Sequence, residues 1–131
     1  MNNFTLHTRL HTEFVNIDNQ VQEIVSASGC KEGIVHVYIP HTTAGITINE
    51  NADPDVVADI ETVLNRLVPW KAGYAHCEGN AAAHVKASLM GATATVIIHE
   101  GRLALGTWQS LYFCEFDGPR TRKVWIKIIP S

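Results

Sequence analysis

Thr93-Ala94-Thr95-Val96-Ile97-Ile98-His99-Glu100-Gly101-Arg102-Leu103-Ala104-Leu105 is the stretch from which the fold class follows. Val96 to Ile98 is an apolar, β-branched run, Glu100-Gly101-Arg102 is a turn, and Leu103 to Leu105 resumes the run. The segment therefore reads as a hairpin. Downstream, Trp108 to Phe116 continues with strand residues, Asp117-Gly118-Pro119-Arg120 marks another turn, and Val124, Ile126 and Ile128 form a last apolar face, with Trp125 and Ile129 on the other. Upstream, Phe4, Leu6, Leu10 and Phe14 share one parity while His7, Arg9, His11 and Glu13 share the other, which predicts one long strand with a wet face. Asp18 is the expected N-cap of a helix carrying Val21, Ile24 and Val25 and stopped by Gly29. Ile34 to Ile39 is a strand with Val35, Val37 and Ile39 inward. Ile46 and Ile48 lead to Asp53-Pro54-Asp55, a cap, an N1 proline and a first-turn acid. Val56, Ile60, Val63, Leu64 and Leu67 stripe the helix that follows, Pro69 closes it, and a shorter helix runs from Asn80 to Gly91. Strands come in pairs rather than alternating with helices, so the expected class is α+β.

The chain has 131 residues, 46% hydrophobic and 18% charged, which suits one domain with its own core over residues 1–131. Ten Lys and Arg against thirteen Asp and Glu give a charge of −3, which argues against a broadly basic nucleic-acid binder. No run approaches bilayer-spanning length, and the start lacks the pattern of a secretory signal. The expectation is a cytoplasmic protein with no membrane or nucleic-acid partner. Cys30, Cys77 and Cys114 are an odd number without C-x-x-C spacing, so neither a disulfide framework nor a Cys-rich zinc site is expected. Cys77 is read as a small buried residue rather than a nucleophile.

Seven histidines stand among few other charges. His7, His11 and His36 fall on wet strand faces and His99 at a turn, where surface roles suffice. His41, His76 and His84 instead lie in or beside irregular, polar segments. Imidazoles converging from a strand end, a loop and a helix start are what an open zinc site uses, although their spacing matches no compact zinc signature. Glu50, Asn51 and Asp53 crowd before a helix, as acid–base groups or as ligands of a hard cation such as Mg²⁺. For Asp53 the cap alone is a sufficient reason. The Thr42 and Thr43 hydroxyls, the amides that start the Asn80 helix, and Arg120 in its turn, with Arg122 and Lys123 after it, are candidate anion binders. Neither nucleotide-binding glycine motif is present.

His41-Thr42-Thr43-Ala44, Asn49-Glu50-Asn51-Ala52-Asp53-Pro54-Asp55-Val56, His76-Cys77-Glu78-Gly79-Asn80, Leu105-Gly106-Thr107-Trp108-Gln109 and Phe116-Asp117-Gly118-Pro119-Arg120 together resemble the YjbQ-like family, also called the secondary thiamine-phosphate synthase family. The blocks stand in the family's order across nearly the whole chain. The resemblance implies an α+β domain with a curved mixed sheet, assembled as a homotrimer with sites near subunit boundaries. It implies a pocket for a divalent metal, zinc or magnesium, held by His41, His76 and His84. Catalytic groups Glu50, Asp53, Gln109 and Arg120 lie nearby in this reading, with substrate contacts from Thr42, Thr43, Asn51, Gly79, Asn80, Lys86 and Arg120. Ala82 departs from the family, which often has histidine or aspartate there. The implied activity is the joining of a pyrimidine pyrophosphate to a thiazole phosphate, as a weak or side activity, with Glu50 or Asp53 holding Mg²⁺ and Arg120 and Lys86 binding phosphate. The alternatives are a zinc-dependent hydrolase of a small metabolite and a non-catalytic trimeric metabolite-binding protein.

Overall fold

The computed structural model describes residues 1–131 and contains three helices and eight strands. β1 (Asn2–His7), β3 (Glu32–Tyr38), β5 (Thr93–His99), β6 (Arg102–Leu103) and β8 (Thr121–Pro130) form one sheet in the order β1-β8-β3-β5-β6. β2 (Glu13–Asn16), β4 (Ala44–Glu50) and β7 (Gln109–Glu115) form a second, in the order β2-β7-β4. Every strand pair is antiparallel, so two antiparallel sheets stand where a single mixed sheet was expected. The class is α+β in one domain.

Alternation decides what each face buries. Val35, Val37, Val96, Ile98, Val124 and Ile126 of the larger sheet meet Ile46, Leu111 and Phe113 of the smaller one, and Val21 and Val25 of α1 (Asp18–Ser28) join them. The opposite face of β7 presents Tyr112 and Cys114, followed by Phe116, to Leu64 of α2 (Pro54–Leu67) and to Ala83 and Ala87 of α3 (Ala81–Met90). β7 is thus covered on both faces, and Ser110 to Phe116 are all buried. α3 lies close on β4 because Gly45 has no side chain: a Cβ there would stand 2.8 Å from the Gly91 carbonyl oxygen.

The first expected strand is in fact two, in different sheets. Thr8 to Thr12 cross between them, and the Glu13 carboxylate accepts the Arg9 amide at 2.8 Å. The crossing preserves parity at Phe4, Leu6 and Phe14 but leaves Leu10 exposed, so alternation alone does not reveal it. Asp18 is no cap either. It opens α1, while its carboxylate accepts from the Ser110 hydroxyl at 2.6 Å and the Leu111 amide at 2.8 Å. Asp53 does cap α2, accepting from the Asp55 amide at 2.9 Å, with Pro54 in the first turn. The stripe that packs on α2 is narrower than expected, Val57, Ile60 and Leu64, and Val63 and Leu67 are exposed. The hairpin turns through Glu100 and Gly101 at φ 51° and 78°, the paired positive values that suit two-residue hairpin loops. Cys77 is exposed, contrary to expectation, whereas Cys114 is buried and its thiol is pushed far up by that burial. No helix is long and apolar enough to cross a membrane.

Candidate functional site

At one end of the sandwich, the chain leaving β3, the loop before α3 and the turn before β8 enclose a cleft of about 760 Å³. Its lining gathers His41, Thr42, Thr43, His76, Glu78, Asn80, His84, Arg120 and Arg122, with Tyr38 and Trp125 on the side of the larger sheet. Three blocks distant in sequence therefore meet.

The floor is a buried ion pair. Glu115 is fully buried and Arg122 is 4% exposed. The Arg122 Nε donates to Glu115 Oε1 at 2.8 Å, and its Nη2 donates to Oε2 and, at 2.9 Å, to the Thr43 hydroxyl. The Thr8 hydroxyl donates to Oε1 at 2.7 Å and the Asp117 amide to Oε2 at 3.1 Å. Burial pushes the Glu115 carboxyl up, but the guanidinium and these donors outweigh it, and its pKa stands below the ordinary value. The sequence reading grouped Arg122 with Arg120 at a charged turn and did not anticipate its burial, yet the signal was there. It shares the inward parity of Val124 and Ile126, where a cation needs a buried partner.

Above the floor, Arg120 is braced rather than neutral in aim. Its Nε donates to the Asp117 carbonyl at 2.8 Å and its Nη2 to the Asp117 carboxylate at 2.9 Å. That leaves three of the five guanidinium N–H groups free on a side chain about half exposed. Burial raises the Asp117 carboxyl, but Asn80, Arg120 and His11 together hold it below the usual range. Asn80 donates its amide to Asp117 at 3.0 Å, and its Oδ1 is buried without a donor. Flipping the amide would set oxygen against carboxylate, so the orphan acceptor is real and belongs to the cleft wall.

His76 and His84 are in contact, ring centroids 5.1 Å apart and edge-on, and His76 Nε2 lies 3.8 Å from Glu78. His41 stands apart from them in chemistry. Its Nε2 accepts the Lys123 amide at 2.9 Å, which places the proton of the neutral ring on Nδ1. Burial, then the Arg122 charge, holds its pKa below the ordinary histidine value, so the ring is neutral at pH 7. With that lone pair engaged, His41 does not present Nε2 to a metal. No three His, Cys, Asp or Glu side chains are arranged to hold an ion together. The residues present do not fit the three-imidazole metal site.

Other candidates fall elsewhere. Gly79 lies in the loop at the cleft with φ 84° but outside the lining. Glu50 and Gln109 pair at the far end of β4 and β7, about 20 Å along the strand from Thr43. The Gln109 side chain accepts from the Gly106 amide, and the Asn51 side chain donates to Ser110. Asp53 is occupied in its cap. Ala82 is fully buried and is a packing position. Lys86 points away from the cleft into a second cavity with His11. His7, His36 and His99 bond to Thr121, Thr95 and Glu32, as surface strand residues do.

The model of the UPF0047 protein YjbQ-like family matches residues 2–131. The UPF0047 protein MJ1081 of Methanocaldococcus jannaschii is 48% identical over 126 residues, covering 96% of this chain and 91% of its own. The UPF0047 protein YugU of Bacillus subtilis is 49% identical, covering 95% of each. A crystal structure of an uncharacterised YjbQ/UPF0047 protein from Clostridium acetobutylicum superposes with a TM-score of 0.96 at 53% identity, covering 98% of this chain and 100% of that one. The match in sequence spans every element that builds the cleft, and the chain belongs to the YjbQ-like family.

Proposed function

We propose that the cleft binds a small phosphorylated metabolite with a planar ring and transfers that ring with loss of pyrophosphate, the chemistry of a weak thiamine-phosphate synthase. One observation carries the reading: Arg120 and the His76–His84 pair share a single cleft with Tyr38 and Trp125, whose rings are stacked at 5.6 Å and 23°. A guanidinium with free N–H groups suits a phosphate. An accessible aromatic surface suits a heterocycle.

In the reaction, the thiazole nitrogen lone pair forms a C–N bond to the pyrimidine methylene carbon. The C–O bond to pyrophosphate breaks, and its electron pair leaves with the pyrophosphate. In this reading His76 and His84, which line the cleft, supply protons to that leaving group, and His41 Nδ1–H adds a neutral donor. The resemblance also implies a homotrimer. The outer face of the larger sheet supports it, since Ile97 and Ile129, both paired with Ile34, are 62% and 49% exposed on the face that also carries Tyr38 and Trp125 four residues along β3.

The test is turnover of a pyrimidine pyrophosphate with a thiazole phosphate, followed by pyrophosphate release. His76→Asn and His84→Asn are expected to lower kcat by roughly 10²-fold or more with folding intact. Wild-type rates in both variants would remove the histidines from the chemistry. Saturable binding without conversion in the wild type would instead favour the non-catalytic binding protein.

A further inference from the structure

Two cationic side chains of this chain are buried, Arg122 and Lys86. Arg122 has Glu115. Lys86, 4% exposed, forms no salt bridge; its ammonium donates to the neutral Asn65 Oδ1 of α2 and lies 6.0 Å from the Phe116 ring centroid. An ammonium has three donors, so two are left over in a place where an unpaired charge is costly. Beside it opens a cavity of about 600 Å³ lined by His11, Thr12, Asn65, Trp70, Lys86 and Asp117. The His11 and Trp70 rings meet edge-on at 4.5 Å and form one wall. Asp117 is the one carboxylate in the lining, and its Oδ2 is already committed to Arg120 and Asn80, while Oδ1 lies 3.8 Å from His11 Nε2. Glu61 neither lines the cavity nor forms a salt bridge with Lys86; burial raises its carboxyl pKa while the Lys86 charge lowers it, so it acts on the ammonium only from a distance.

We propose that this cavity is a second ligand site, separate from the cleft, that takes the oxyanion group of a small metabolite, with Lys86 as its charged anchor. A counter-charge in direct contact with the ammonium is what the ligand supplies. Lys86 has been desolvated by folding, so a phosphate or carboxylate gains a charge-assisted hydrogen bond without a second desolvation of the ammonium. The Thr12 hydroxyl and His11 imidazole add donors, and Trp70 bounds the ligand on its apolar side. The proposal does not depend on the reaction assigned to the cleft.

The intact protein is titrated with inorganic phosphate and, separately, with acetate, each against chloride at matched pH and ionic strength. Saturable stabilisation is expected with at least one anion, a Tm rise of about 5 °C at ten times Kd. Phosphate alone or acetate alone identifies which oxyanion fits. With Arg120→Ala as the background, so that phosphate held in the cleft does not contribute, Lys86→Met is expected to abolish the rise. Methionine keeps the length while removing the buried charge, and its fold is checked by circular dichroism and urea unfolding. Should that variant not fold, NMR on the wild type decides. The Trp70 indole and His11 ring resonances are expected to move with the anion, whereas Trp125 reports the cleft. Stabilisation retained in Lys86→Met on that background, shifts confined to Trp125, or no saturable response to either anion would overturn the proposal.

Discussion

Arg122→Ala is expected to destabilise the protein by about 3–5 kcal/mol, the cost of leaving a buried carboxylate without its partner. Against the roughly 5–15 kcal/mol by which domains of this kind are stable, that is a large share. The reason is geometric. Glu115 is fully buried, and with Arg122 gone it keeps only the Thr8 hydroxyl and the Asp117 amide as donors. Urea unfolding measures the effect. The double variant Arg122→Met with Glu115→Leu is expected to recover most of the loss, because the pair's value lies in mutual compensation rather than in net gain. The pH dependence follows in sign. The folded-state pKa of Glu115 lies below its unfolded value, so its contribution is complete above about pH 4.3 and is lost as pH falls through the folded value. A loss under about 1 kcal/mol in Arg122→Ala would mean that solvent reaches Glu115.

Gly118→Ala is the second large effect. An added Cβ would stand 2.2 Å from the Leu10 carbonyl oxygen, 2.8 Å from Glu115 Cγ and 3.0 Å from Thr8 Oγ1. The first is backbone, and the other two belong to the ion-pair network. The chain must therefore move where Leu10 crosses between the sheets and where Thr8 donates to Glu115. Overpacking costs about 1–3 kcal/mol, and disturbing a charged hydrogen bond adds about 1.5–3. A lowered urea midpoint at unchanged slope is the expected result. Since Gly118 also sets the turn that presents Arg120, weaker ligand binding in the folded fraction should accompany it. Wild-type stability would show that the Leu10 segment yields freely.

These two positions show where the sequence was legible. Periodicity placed Val35, Val37, Val124 and Ile126 on inward faces, because alternation is a local property that the sheet only has to accept. The same pattern hid the crossing at Thr8–Thr12, since a chain can change sheets without changing parity. Arg122 was readable as a cation at an inward position, but its partner Glu115 was not, because the turn at Asp117–Arg120 brings them together from consecutive strands of different sheets. His41, His76, Asn80, His84 and Arg120 were found as blocks and meet in one cleft. Glu50, Asn51, Asp53 and Gln109 were grouped with them through the family resemblance. The length of β4 carries those four to the other end of the sheet. Lys86 follows His84 by two residues, and that offset on a helix turns it into a different cavity.

The central claim is that the cleft recognises a phosphorylated planar ring, and calorimetric titration of the wild-type protein with a pyrimidine pyrophosphate tests it most directly. Saturable binding is predicted, weakened roughly 10- to 100-fold in Arg120→Ala, the value of a charged hydrogen bond to phosphate, and clearly weakened in Trp125→Ala. No heat of binding in the wild type, or equal affinity in both variants, would contradict the claim.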